Sequence, residues 1–206
     1  MEKLKSLNRL LLVFAAGILA SCYPDGIQYY EETDVVYTTF SQEFDFKSKS
    51  TYSMPDKIVV DVEIKNGDTT FIYMKDIYAQ PILQNIESNM QNYGWRKVPI
   101  SQKPDMLLSP SATKSTTIFY SYWYDWWYGP WYPGWGWYYP PYYVSSITTG
   151  SIIITLSDPN GTNIVGESPT AWLLAGNGLL SGANNVTRVT KAIDQGFIQS
   201  PYLNIK

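Results

Sequence analysis

The sequence contains no histidine among its 206 residues. Ser-His-Asp and Cys-His triads, histidine general bases and His-ligated zinc or iron sites are thereby excluded. Cysteine occurs once, at Cys22, so neither an internal disulfide nor a Cys-x-x-Cys site is available. Charge is sparse at 16% of residues, and the 15 basic side chains fall short of the 18 acidic ones. A net charge of −3 gives no basic face to displace counterions from phosphates, so no nucleic-acid partner is expected. No cofactor fingerprint and no metal-ligand cluster stands out. The apolar run Leu10–Ile18 is too short for a bilayer span, which needs about 20 residues.

What is present begins with an address. Lys3, Lys5 and Arg9 form a positive region ahead of that apolar run, the arrangement of a secretory signal. Leu19-Ala20-Ser21-Cys22 follows directly and resembles a bacterial lipobox. Small residues before the cut admit the peptidase, and the thiol of the new N-terminal cysteine takes diacylglycerol. Residues 1–21 are expected to be a lipoprotein signal peptide, Cys22 the lipidation site and 22–32 a lipidated tether. Stable anchoring takes two acyl signals, and a lipoprotein carries at least two chains, such as palmitate added to diacylglycerol. Removing residues 1–21 leaves 12 basic and 17 acidic side chains, so attachment to the membrane rests on the acyl chains rather than charge. Tyr23 stands where an aspartate resembles an inner-membrane retention signal, and only Asp25 is acidic nearby. The expected location is the outer membrane, facing the periplasm.

The remainder, 33–206, reads as one domain. Thr33–Thr39 and Lys57–Ile64 are rich in β-branched residues, and Asn66-Gly67 predicts a hairpin turn returning through Thr69–Met74. A helix is predicted at Pro81–Tyr93, with Pro81 in its first turn and Ile82, Ile86, Met90 and Tyr93 on one face. Short strands are expected at Arg96–Ile100 and Met106–Ser109, then a stronger one at Thr116–Tyr124. Ile147–Ser157 and Asn163–Leu174 flank the turn Asp158-Pro159-Asn160-Gly161. The last helix is placed near Asn184–Gln199, with Val186, Val189, Ile193 and Phe197 as its apolar stripe. Gly176–Gly182 is glycine-rich but lacks the Lys-Ser/Thr of a phosphate-binding loop, so it reads as a linker. The fold class is α+β: a mainly antiparallel sheet with two helices packed on one face, plus a long aromatic loop.

Several stretches together carry a family likeness: TDVVYTTFSQEFDF at 33–46, TYSMPDKI at 51–58, ILQNIESNMQNYGW at 82–95, Pro104-Asp105 and KAIDQGFIQSPYL at 191–203. This pattern resembles the Bacteroidetes lipoproteins of the "domain of unknown function 4136" family over about residues 23–203. The resemblance implies a small α+β envelope lipoprotein with an unassigned biochemical role and no family active site. Gly196 departs from the family pattern, which favours alanine, and is expected to weaken the last helix slightly. Asp68-Thr69-Thr70 resembles an O-glycosylation sequence of such bacteria.

The densest feature is the insertion 119–143, in which 16 of 25 residues are aromatic. It holds Trp123, Trp126, Trp127, Trp131, Trp135 and Trp137, with Asp125 as its only charge. Its four prolines and three glycines rule out a regular strand or helix through the middle. Three roles fit such a segment. The rings suit stacking on an envelope glycan or lipid, they suit a protein partner, and they also suit packing over the sheet. Asp125 suits bonding a sugar hydroxyl and equally suits keeping its strand solvated. Asp61 and Glu63 lie two apart on one strand face; this is the pattern of a solvated strand face, where exposed acids are normal, and paired carboxylates at the correct separation can also hydrolyse glycosides. The leading expectation is a non-enzymatic envelope module acting through the aromatic loop. The alternative is an enzyme working on envelope glycans through those acids.

Overall fold

The computed structural model describes residues 34–65, 68–113, 150–160, 170–180 and 185–206. Cys22, the tether, the whole 119–143 insertion and the strand expected at Thr116–Tyr124 lie outside the described residues. Eight strands and two α-helices are described. The strands are β1 (Val35–Phe40), β2 (Thr51–Ser53), β3 (Val59–Lys65), β4 (Asp68–Tyr73), β5 (Arg96–Lys97), β6 (Met106–Thr113), β7 (Ser151–Ser157) and β8 (Thr170–Asn177). Helix α1 (Asp76–Asn92) lies between β4 and β5, and α2 (Asn185–Ile198) follows β8.

One sheet takes them all in the order β1-β8-β7-β6-β2-β5, with β3 joined to β6 and β4 to β3. The long pairings β1–β8, β8–β7, β7–β6 and β3–β4 are antiparallel. The pairings of β2 with β5 and β6, and of β3 with β6, are parallel, so the sheet is mixed though mostly antiparallel. Lys65 pairs with Asp68, so β3 and β4 form the expected antiparallel pair, while the Asn66-Gly67 step itself lies outside the described residues.

Alternation along the strands divides the sheet into two faces. Met106, Leu108, Ala112, Ile152, Ile154, Leu156, Trp172 and Leu174 join both helices in one core. α1 contributes Ile82, Ile86 and Met90, and α2 contributes Val189, Ile193 and Phe197, as the helical periodicity predicted. The opposite face carries Leu107, Ser109, Ser111, Ile153, Thr155 and Leu173, and these are buried too. Burial on both sides explains why β7 reads as a continuous apolar run instead of an alternating one.

Local structure departs from the sequence reading in several places. α1 begins at Asp76, not Pro81, and Pro81 sits inside the helix. Proline there leaves the carbonyl of Ile77 without its i→i−4 donor, a strong reason to start the helix later. The extra turn forms because Ala79 extends the apolar stripe and is fully buried. Gly94 closes α1 at φ +97, and the Trp95 amide reaches back to the Met90 carbonyl at 3.0 Å. β5 stops at Lys97, and a short 3-10 turn at Ile100–Gln102 replaces the rest of the expected strand. β6 runs to Thr113 because Pro110 is followed by residues that pair with β7 up to Thr113↔Ser151. Gly176 and Asn177, assigned to a linker from their composition, complete β8.

Indole groups fasten the C-terminal segment to the core. Trp95 donates its ring N–H to the Leu203 carbonyl at 2.8 Å, and Trp172 donates to the Ser200 hydroxyl at 2.9 Å. Burying a Trp requires such a partner for its one polar atom. The SPYL stretch at 200–203 therefore serves as an anchor for two large core side chains.

Candidate functional site

The acids singled out for chemistry sit on the β3–β4 hairpin. Asp61 and Glu63 face Ile72 and Thr70 across the pair, and an irregularity in register lies between Val59 and Asp61. Glu63 accepts a hydrogen bond from the Lys65 ammonium at 2.7 Å, and both side chains are well exposed. That hydrogen bond, with the attraction between the two charges, holds the Glu63 carboxyl below the usual range. A carboxylate kept ionised beside a lysine in water is poorly suited to act as a general acid, which needs a raised pKa. The arrangement is that of a solvated ion pair.

The remaining carboxylates with well-defined partners tie elements together. Asp105 Oδ2 accepts from the Ser50 and Thr51 amides at 3.0 and 2.9 Å and from the Thr51 hydroxyl at 2.7 Å. The Thr51 hydroxyl in turn accepts from the Asp105 amide at 2.9 Å. This reciprocal clamp joins the start of β2 to the turn preceding β6, and it gives the Pro104-Asp105 step a structural purpose. Asp158 meets Lys49 at 3.0 Å and also accepts from the Asn160 amide at 2.8 Å, closing the turn after β7. Asp34, just ahead of β1, receives a two-pronged contact from Arg188 of α2. The ties of Asp105 to Thr51, Asp158 to Lys49 and Asp34 to Arg188 were not legible as pairs, because each partner lies far along the chain.

Partial burial pushes the Asp105 carboxyl up, but the bonds from Thr51 and Ser50 outweigh it and hold the group below its ordinary value. An acid whose folded pKa is depressed contributes stability above its unfolded pKa, about 3.9, and loses it as pH falls through the folded value. Asp105→Asn is expected to cost about 1–2 kcal/mol at pH 7. The gap to the unsubstituted protein should close as pH falls below about 4. Urea midpoints measured between pH 7 and 2.5 check this, and a gap that stays constant refutes it.

A small apolar cavity opens between the N-terminal turns of the two helices, lined by Met74, Tyr78, Ile82, Leu180, Asn185 and Val186. Its volume of about 90 Å³ is well below the roughly 300–1,000 Å³ of small-molecule sites. The Oδ1 atom of Asn185 is buried there without a hydrogen-bond partner. Among the described residues, no group of three His, Cys, Asp or Glu side chains stands together in a way that would hold a metal ion. The ligand-binding candidates Trp123, Trp126, Trp127, Trp131, Trp135, Trp137 and Asp125 lie outside the described residues, as does Cys22. β6 and β7, the described strands that precede and follow 114–149 in the chain, pair with each other as far as Thr113↔Ser151.

These features define a mixed α+β domain built on one mostly antiparallel sheet, with two helices closing one of its faces. The family described as "Domain of unknown function (DUF4136)" matches residues 36–202, and the chain belongs to it. Its fold is similar to the crystal structure of a DUF4136 family protein from Bacteroides thetaiotaomicron. The two are 27% identical, with a TM-score of 0.60 over 84% of this chain and 98% of the other. A fainter likeness, with a TM-score of 0.40 and 11% identity, is to PelC of Paraburkholderia phytofirmans, a dodecamer, over 84% of this chain and 99% of that one. No curated protein matches the chain.

Proposed function

We propose that this chain is a lipoprotein of a Bacteroidetes-type outer membrane, held by acyl chains on Cys22 and facing the periplasm. It works without catalysis, as a binding or structural module that presents the aromatic segment 119–143 to an envelope glycan or a protein partner. The observation carrying this reading is a lipobox-like sequence directly after a signal-like apolar run, together with an aromatic-rich stretch that falls in the chain between the paired strands β6 and β7. Binding residues concentrate on loops that a rigid scaffold positions. The ion-paired state of Glu63 and the structural ties of Asp34, Asp105 and Asp158 speak for a scaffold over a hydrolase.

Tryptophan emission separates a presented segment from a packed one. Trp95 and Trp172 are only 3% and 0% exposed and should resist a collisional quencher. The other six tryptophans all belong to the insertion, so red-shifted, mostly quenchable emission is expected. Blue-shifted, protected emission would remove the binding role. The anchor is checked separately with a fatty-acid probe, whose incorporation should disappear in Cys22→Ala.

A further inference from the structure

The two helices begin at one end of the domain. The Asn85 and Asn89 amides of α1 both donate to Asp194 of α2, at 2.9 and 2.7 Å, and the Tyr93 hydroxyl donates to the Phe197 carbonyl at 2.7 Å. Contacts that advance together along both helices mean that the two run in the same direction, so their first turns lie side by side. The cavity of about 90 Å³ opens there, walled by Met74, Tyr78 and Ile82 on one side and by Leu180 and Val186 on the other. Tyr78, and Ile77 beside it in the first turn of α1, are exposed at 51% and 74%. Among the described residues no large apolar side chain is more exposed than Ile77. Single apolar residues scattered on a surface need no explanation, but several gathered around an open apolar hollow mark a contact site.

The charges around this patch balance. Lys75 and Asp76 stand at the start of α1. Asp56 and Lys57 come alongside: the Asp56 carbonyl accepts from the Gln80 amide at 3.2 Å, and the Lys57 ammonium stands 5.0 Å from the centre of the Tyr73 ring. Two charges of each sign offer no net attraction to a charged partner. The chain also enters the domain at this end. Asp34 is held by Arg188 in the first turn of α2, next to the residues that wall the cavity. From Cys22 to Asp34 the chain spans at most about 40 Å even when fully extended.

We propose that this end of the domain faces the lipid surface: Ile77 and Tyr78 settle into the headgroup boundary, and the cavity opens to acyl methylenes. The proposal rests on the lipid-anchored reading of Cys22 and names the face that the anchored domain turns to the bilayer. Tyrosine belongs at such a boundary, because its ring is apolar while its hydroxyl stays wet. An apolar face buried about 5–10 Å into that boundary needs no positive charge when acyl chains already hold the protein. A short tether raises the local concentration of the patch to roughly millimolar. A contact too weak to recruit the free domain therefore still holds the anchored one in a single orientation.

The test replaces the acyl anchor with a nickel-chelating lipid. Failure of the contact is then read apart from failure of Cys22 acylation, which the fatty-acid probe reports. Residues 23–206 are placed behind an N-terminal hexahistidine, and every described element lies within 34–206, so none is cut. This chain has no cysteine of its own, and Ile77→Cys carries a nitrobenzoxadiazole label on its only thiol. On phosphatidylcholine vesicles containing the chelating lipid, the label's emission should shift to the blue and rise several-fold. Lipid spin-labelled near its headgroup should quench it. Ile198→Cys is the control: Ile198 is 70% exposed but lies about 20 Å along α2 from Asn185, and its label should keep water-like emission. Tyr78→Ser should cut the rise at position 77 several-fold with the far-ultraviolet circular dichroism unchanged. Water-like emission at position 77 on the vesicles overturns the proposal, as does an equal rise at both positions. A change at position 77 that needs no lipid and grows with protein concentration also overturns it, and assigns the patch to a second copy.

Discussion

Gly196→Ala is expected to lower stability by about 1 kcal/mol, although alanine is the better helix former. A Cβ built at Gly196 falls 1.9 Å from Leu174 Cδ1 and 2.9 Å from its Cγ, where real contacts never come below 3.0 Å. Leu174 is fully buried, so its side chain has no open space into which to turn. Overpacking of this kind costs about 1–3 kcal/mol, against roughly 1 kcal/mol that alanine returns in helix propensity. The glycine is thus a close-approach position that lets α2 settle onto β8. On the sequence reading, in which glycine slightly weakens the last helix, the same change should instead raise stability. Urea unfolding of the single variant decides between the two. Combined with Leu174→Val, which removes the colliding methyl, the alanine should cost less than the two separate changes predict. An alanine variant as stable as the unsubstituted protein would refute the packing argument.

Asp34→Ala should be the more damaging change, at about 3 kcal/mol. Arg188 is 5% exposed, and its Nε–H donates to Asp34 Oδ2 at 3.0 Å while Nη2 donates to Oδ1 and to the Gly178 carbonyl. Desolvating a guanidinium is repaid only through such bonds, so removing the carboxylate leaves a buried charge short of its partner. Arg188→Lys is not conservative here, because an ammonium cannot reproduce the two-pronged fork. Arg188→Met with Asp34→Leu should recover much of the loss, since an apolar pair of similar volume avoids the desolvation altogether. A double-mutant cycle measured by urea unfolding should give a coupling of about 1–3 kcal/mol. Coupling near zero would show that the contact contributes only packing.

The order and type of most elements were legible because they rest on local chemistry. Helical periodicity identified the buried stripes Ile82-Ile86-Met90 and Val189-Ile193-Phe197, and the Asn-Gly step marked the hairpin that the Lys65↔Asp68 register brackets. The short strand β2 escaped notice because three residues carry no period, and its parallel partner Met106–Leu107 lies more than fifty positions away. The start of α1 was misplaced because a local rule about proline competed with burial of Ala79, which is a tertiary effect.

The sequence by itself determined most of the elements, the family likeness, the expected address at Cys22 and the aromatic insertion 119–143. Each follows from residue types at short spacing, where chemistry acts on near neighbours. Tertiary structure alone decided that Asp105 clamps Thr51, that Asp34 holds Arg188 and that Gly196 admits Leu174. It also decided that both sheet faces are buried in the middle. Those outcomes depend on which distant segments are brought together, and a buried polar group or a missing Cβ acquires its energy only from that company.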